Sequence, residues 1–200
     1  MKPAAAFSAS LLGSVLALPV CGETLHMRIN GVSTELTHGV GGEGSRILAQ
    51  REAELRGAVP QRLPTGGWDV QSRLEASRSI TLQRRGAGDS LEVMYSVIDV
   101  AQSPRRPRRV PLILPAGVET GATIETLGDS PSTQWSLRSS RALPDVLREI
   151  RVSAAAHGWR VSVDGADGLT LVRRAERLRL AAGGDGSKRT RLTLIAWSVR

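Results

Sequence analysis

Few residues of this 200-residue chain have the type and spacing that chemistry needs. His26, His38 and His157 stand far apart, and none has a neighbour at metal-ligand spacing. Cys21 is the single cysteine, too little for a thiolate metal site or an internal disulfide. No serine lies in the Gly-x-Ser-x-Gly elbow of a hydrolase. The run Gly183 to Thr190, GGDGSKRT, has the glycines of a phosphate loop. Its Lys188 does not follow a glycine, however, and an apolar strand follows where a helix is required. Asp164 and Asp167 sit among glycines without the length of a calcium loop, and read as turn residues. The expectation is a non-enzyme: no catalytic residue, no metal ligand and no cofactor.

Binding is the other chemistry available. Twenty-seven basic residues against 19 acidic ones leave a formal charge of +8, which attracts nucleic acid, lipid head groups or acidic proteins. Composition is a competing source of that charge, since only Lys2 and Lys188 are lysines and all other basic residues are arginine. Arg105, Arg106, Arg108 and Arg109 are candidate contacts to an anionic ligand, or solvated residues of a linker. Aromatics make up 3% of the chain, and four of the six are tryptophan, so each Trp anchors a core or a contact. Trp135 and Trp197 are the candidate partner contacts.

The N-terminus reads as an export signal at 1–22. Lys2 precedes an apolar run, Ala4 to Val20, with small residues suited to a signal peptidase and no acidic group before Glu23. A retained anchor is the alternative, although Ser8, Ser10, Gly13, Ser14 and Pro19 make the run a poor membrane span. No later stretch is long and apolar enough to cross. Leu18-Pro19-Val20 departs from the small-residue pattern that precedes an acylated cysteine, so Cys21 reads as leaving with the signal. The expected location is the periplasm.

The elements that position these residues follow from periodicity and punctuation. Leu25–Ile29 and Val32–Thr37 flank Asn30-Gly31, the strongest short hairpin signal. Gly39 to Gly44 ends the second strand, Ile47 to Leu55 is a helix, and strands follow at 69–74, 79–85 and 91–98. Residues 102–117, QSPRRPRRVPLILPAG, are a linker, because its prolines forbid a central strand or helix. Its apolar second half, Pro111 to Pro115, packs on a domain. The pattern then restarts: strands at 122–127 and 133–138, then a helix carrying Leu143, Val146, Leu147, Ile150 and Ala154, capped at His157-Gly158. Strands return at 159–163, 169–174 and 192–199, while Leu178 to Ala182 extends a strand or pairs locally.

Gly67-Trp68 before ITLQRR and Gly158-Trp159 before LTLVRR read as one motif used twice. The expected fold is α+β, with two tandem β-β-α-β-β-β modules at 23–101 and 118–200, each an antiparallel sheet packed on one helix. This arrangement resembles the tandem helix-grip-like modules of accessory lipoproteins in the outer-membrane β-barrel assembly machinery. It is also similar to small periplasmic subunits of pilus and secretion systems. The resemblance implies a non-enzymatic scaffold of an envelope assembly, pilus or secretion system, with envelope proteins as partners. Contact would run through a sheet edge or the groove beside a helix. The alternative is binding of nucleic acid or another anionic polymer, as in DNA uptake, through the arginine-rich surfaces.

Overall fold

The computed structural model describes residues 21–62, 67–102, 104–128, 131–166, 168–183 and 190–198. Most of the expected signal at 1–22, and most of the tip at 183–190, lie outside the described residues. The first half contains β1 (Thr24–Ile29), β2 (Val32–Val40), α1 (Gly42–Arg51), β3 (Gln61–Arg62), β4 (Asp69–Glu75), β5 (Arg78–Arg85) and β6 (Glu92–Asp99). The second contains β7 (Val118–Thr126), β8 (Ser132–Ser139), α2 (Leu143–Ala156), β9 (Arg160–Gly165), β10 (Gly168–Arg173), β11 (Glu176–Gly183) and β12 (Thr190–Ser198). Asn30 and Gly31 both take positive φ, 52° and 84°, and close the β1–β2 hairpin as their types require.

The two-module expectation is overturned. All the strands form one continuous antiparallel sheet, in the order β3-β4-β5-β6-β2-β1-β7-β8-β12-β11-β10-β9, with two short helices. The seam is β1 against β7, where Met27 faces Thr126, Arg28 faces Glu125 and Ile29 faces Ile124. The physical reason lies in edge strands. Each half would otherwise expose a row of unpaired backbone groups on β1 or β7, and pairing these two edges satisfies both. Among the described residues six strands build each half, where the sequence pattern suggested five. The two-residue β3 was too short to read, and β11 is a full strand paired along β10 and β12.

Both helices lie on the same side of this sheet. Tyr95 packs in the α1 core; it faces Thr37, whose same-side neighbour Glu35 faces His26. Arg28, two along from His26, faces Glu125, and Glu125 faces Thr133. Trp135 is two along from Thr133 and belongs to the α2 core. Alternation therefore carries one face unbroken from α1 to α2. Under α2, Trp135, Leu137, Ile150, Leu171, Leu180 and Leu194 are all buried, and they form the larger core.

The first helix starts at Gly42, earlier than the apolar pattern indicated, and ends in a 3-10 turn at Glu52–Leu55. The glycines at 39 and 44 do more than break a strand. A β-carbon on Gly39 would come 2.9 Å from the Gly44 nitrogen and 2.6 Å from Ile47 Cδ1. They let the helix N-terminus lie directly on β2. The linker is equally structural. It runs over the helix-bearing side, where the Trp135 indole N–H donates to the Arg108 carbonyl at 2.8 Å and Leu112 is buried in the α2 core. Ser153 of α2 donates to the Ile113 carbonyl, which ties the helix to the same segment.

The Gly-Trp echo is also corrected. Each ring does lie beneath an arginine from an Arg-Arg strand end, Arg85 at 4.6 Å from Trp68 and Arg173 at 4.3 Å from Trp159. The two sit on opposite sides of the sheet, however. Trp159 is buried under α2, at the start of the first strand after the helix. Trp68 comes after β3 and packs on the helix-free side against Met27, Leu36, Met94 and Ile124. Similar local sequence therefore serves two different core positions.

Candidate interaction surface

With both helices on one side, the two faces of the sheet carry different electrostatics. On the helix-bearing side six arginines are matched to carboxylates, while those of the linker have no ion pair among the described residues. Arg28 reaches Glu125, Arg51 reaches Glu54, Arg141 reaches Glu149, Arg148 reaches Asp145, Arg151 reaches Asp164 and Arg173 reaches Glu176. Exposed pairs of this kind contribute little stability each, but they cancel charge locally.

The helix-free side differs between the halves. In the first half it is closed by the apolar cluster under Trp68. Its charges are bound together, with Arg85 donating to Glu92 at 2.6 Å and His38 Nε2 lying 3.1 Å from the other Glu92 oxygen. In the second half the same side is open and cationic. One cross-strand row reads Arg160, Val172, Arg177, Trp197 and Ser132; the next reads Val163, Thr170, Arg179, Ile195 and Gln134. A third row is small, with Gly168, Ala181, Thr193 and Ser136. Beyond it Arg191 faces Arg138.

Arg138, Arg160 and Arg179 are exposed, and Arg177 and Trp197 are half-buried. Among the described residues, the register of β8 to β12 places no acidic side chain on this side, although Glu176 borders the cavity that Arg160 also lines; on β7, Glu119 stands opposite Arg138.

Two shallow cavities border the second half. One, of about 600 Å³, lies between the linker and β7, lined by Asn30, Arg108, Arg109, Leu112, Gly121 and Thr123 among others. The other, of about 530 Å³, surrounds the end of β10 and takes in His157, Arg160, Val172, Arg173, Arg174 and Glu176. His157 Nδ1 is 2.7 Å from the Ser153 carbonyl, which can only accept, so that nitrogen carries hydrogen and caps the end of α2.

The candidates read from sequence are scattered by the fold. Trp135 is 2% exposed, with its indole N–H satisfied, and is a core residue. Trp197 lies on the open face. Arg108 and Arg109 line the seam cavity, and Arg105 and Arg106 are exposed along the linker without lining it. The structure thus brings Trp197 together with Arg177, Arg160 and Arg179, none of which the sequence reading singled out. A signal for two of them was present, since Glu176-Arg177-Leu178-Arg179-Leu180 alternates charged and apolar residues with the period of a strand having one wet face. Among the described residues no group of three or more His, Cys, Asp or Glu side chains is placed to hold a metal ion. No described helix is long and apolar enough to cross a membrane. No family model, curated protein or solved structure matches this chain.

Proposed function

We propose that the chain is an exported, non-enzymatic binding protein of the cell envelope that holds an anionic partner on the helix-free side of its second half. One observation carries the reading: among the described residues, Arg138, Arg160, Arg177 and Arg179 share the open side of β8 to β12 with no ion pair and no acidic side chain of those strands, whereas Arg141, Arg148, Arg151 and Arg173 on the helix-bearing side are each paired with a carboxylate. Placement in the envelope rests on the apolar run Ala4 to Val20.

Retention on heparin-agarose tests it. The salt needed for elution falls when Arg177 and Arg179 are both changed to Glu, and stays unchanged when Arg105 and Arg106 are changed instead. Equal retention of the two variants defeats the assignment of the face.

A second reading, scaffolding by strand addition, is favoured by β9. This edge strand is exposed at all six residues, including Val161 and Val163. The register shift between Thr170 and Leu171 and the Arg151–Asp164 ion pair work against it, since bulges and charges are how edge strands resist pairing.

A further inference from the structure

The geometry points to single-stranded nucleic acid as the ligand of the open face, with Trp197 as a stacking platform and Arg160, Arg177 and Arg179 as phosphate contacts. This rests on the anionic-partner reading above and names its ligand.

Three observations favour a single nucleic-acid strand over an acidic protein. First, the cations are spaced for a linear polyanion. Arg177 and Arg179 project from one side of β11 about 6.7 Å apart. Arg160 lies two strands away in the Arg177 row, about 10 Å across the sheet. The three form a short arc of charge, and the carboxylate next to it, Glu176, belongs by register to the other face of β11, where it pairs with Arg173.

Second, an aromatic ring sits within that arc. Trp197 faces Arg177 directly across β12 and β11 and is half-buried, so part of its indole remains open to a base. Combining a cationic track with an aromatic ring is how proteins hold single strands without reading sequence, because every base has a π-face. Carboxylates on a protein partner gain nothing from that ring.

Third, the surface beside the ring is low. Ala181, Thr193 and Ser136 form the row between the two cationic ends, and no element among the described residues crosses it on this side. Flat bases can lie on such a floor, while the sugar-phosphate chain follows the arginines.

The test is fluorescence anisotropy of a fluorescein-labelled 20-mer oligodeoxythymidine with the purified chain, over a salt series. Three phosphate contacts give a slope of log K against log salt of about −2. Changing Arg177 and Arg179 to Glu weakens binding at least about tenfold at low salt and flattens the slope. Trp197→Ala weakens binding about fivefold or more with the slope unchanged, and Trp197→Phe recovers most of the loss, because the phenyl ring still stacks. Circular dichroism checks that each variant is folded.

Polyglutamate of matched charge is the competing arm, and on this proposal it displaces the oligonucleotide poorly. If polyglutamate competes as well as unlabelled oligonucleotide and folded Trp197→Ala binds normally, nucleic acid is excluded while the anionic-partner reading stands. If neither polymer binds, or binding ignores Arg177 and Arg179, both readings fall.

Discussion

At the scale of single residues, the most informative group outside the open face is the cluster that ties the 3-10 turn to the sheet. The Tyr95 hydroxyl donates to Glu54 at 2.5 Å, Arg51 donates to the other Glu54 oxygen at 2.8 Å, and the Arg51 guanidinium lies over the Tyr95 ring. Burial, and then the bond to Glu54, push the Tyr95 phenol above its ordinary range. Burial works to raise the Glu54 carboxyl, but the hydrogen bonds from Tyr95 and Arg51 outweigh it and hold the group below its ordinary value of 4.5. Ionised Glu54 therefore stabilises the fold in full above pH 4.5, and that contribution is lost as pH falls through its lower folded value. Tyr95→Phe costs about 1–2 kcal/mol at neutral pH, measured by urea denaturation. The deficit narrows below pH 4, and a deficit that stays constant with pH breaks the link to Glu54. Tryptophan offers a second comparison. Trp135 has its indole N–H satisfied, whereas the buried Trp159 Nε1 has no hydrogen-bond partner among the described residues. Trp135→Phe is expected to cost about 1 kcal/mol more than Trp159→Phe, since only the first orphans a carbonyl.

At the scale of elements, the seat of α1 on β2 depends on two glycines for reasons of space. A β-carbon on Gly44 would come 3.0 Å from the Leu91 carbonyl oxygen and 3.1 Å from that of Gly39, both backbone atoms that cannot swing aside. Gly42, one turn end away, has nothing within 4 Å. Gly39→Ala should destabilise by about 1–3 kcal/mol, as overpacking does. Gly42→Ala should be neutral or stabilising by up to about 1 kcal/mol, because alanine is the better helix former. Thermal melts of the two variants decide it, and equal effects would falsify the close-packing account. The same scale explains why the linker resists its own composition. Its prolines and arginines suggest a solvated spacer, yet Leu112 and the Arg108 carbonyl are held by the α2 core, so the segment acts as a strap beside the helix.

At the scale of the whole molecule, the seam decides how the protein unfolds. The β1·β7 ladder is short, but it is reinforced. Asn30 donates its backbone N–H to the Thr123 carbonyl and accepts the Thr123 N–H on its side-chain Oδ1, and Arg105 N–H donates to the Gly31 carbonyl. Apolar residues from both halves, Met27, Leu36 and Met94 with Ile124, are buried together beneath it. The halves should therefore unfold in one transition. Far-UV circular dichroism follows the whole sheet, while tryptophan fluorescence is weighted to the second half, which holds three of the four tryptophans. Coincident urea curves are expected, and two separated midpoints would show that the halves are energetically independent.

Much of this architecture was legible in the chain itself. Hairpin turns, the apolar stripe of α2 from Val146 to Ala154 and most strands follow from local periodicity, which acts over a few residues whatever the rest of the protein does. The sequence also showed none of the familiar catalytic motifs sought in it, and an excess of basic over acidic residues, 27 to 19. Tertiary structure alone decided the rest. Pairing of β1 with β7 joins residues about a hundred positions apart in sequence and turns two expected sheets into one. Which side of that sheet a residue takes depends on the register of every strand between it and a helix, because a one-residue slip moves the whole strand to the other face. That is why Gly-Trp could be read twice as one motif and still fill two opposite faces. It is also why Arg177, Arg179 and Trp197, separate in the chain, became neighbours only when β11 paired with β12.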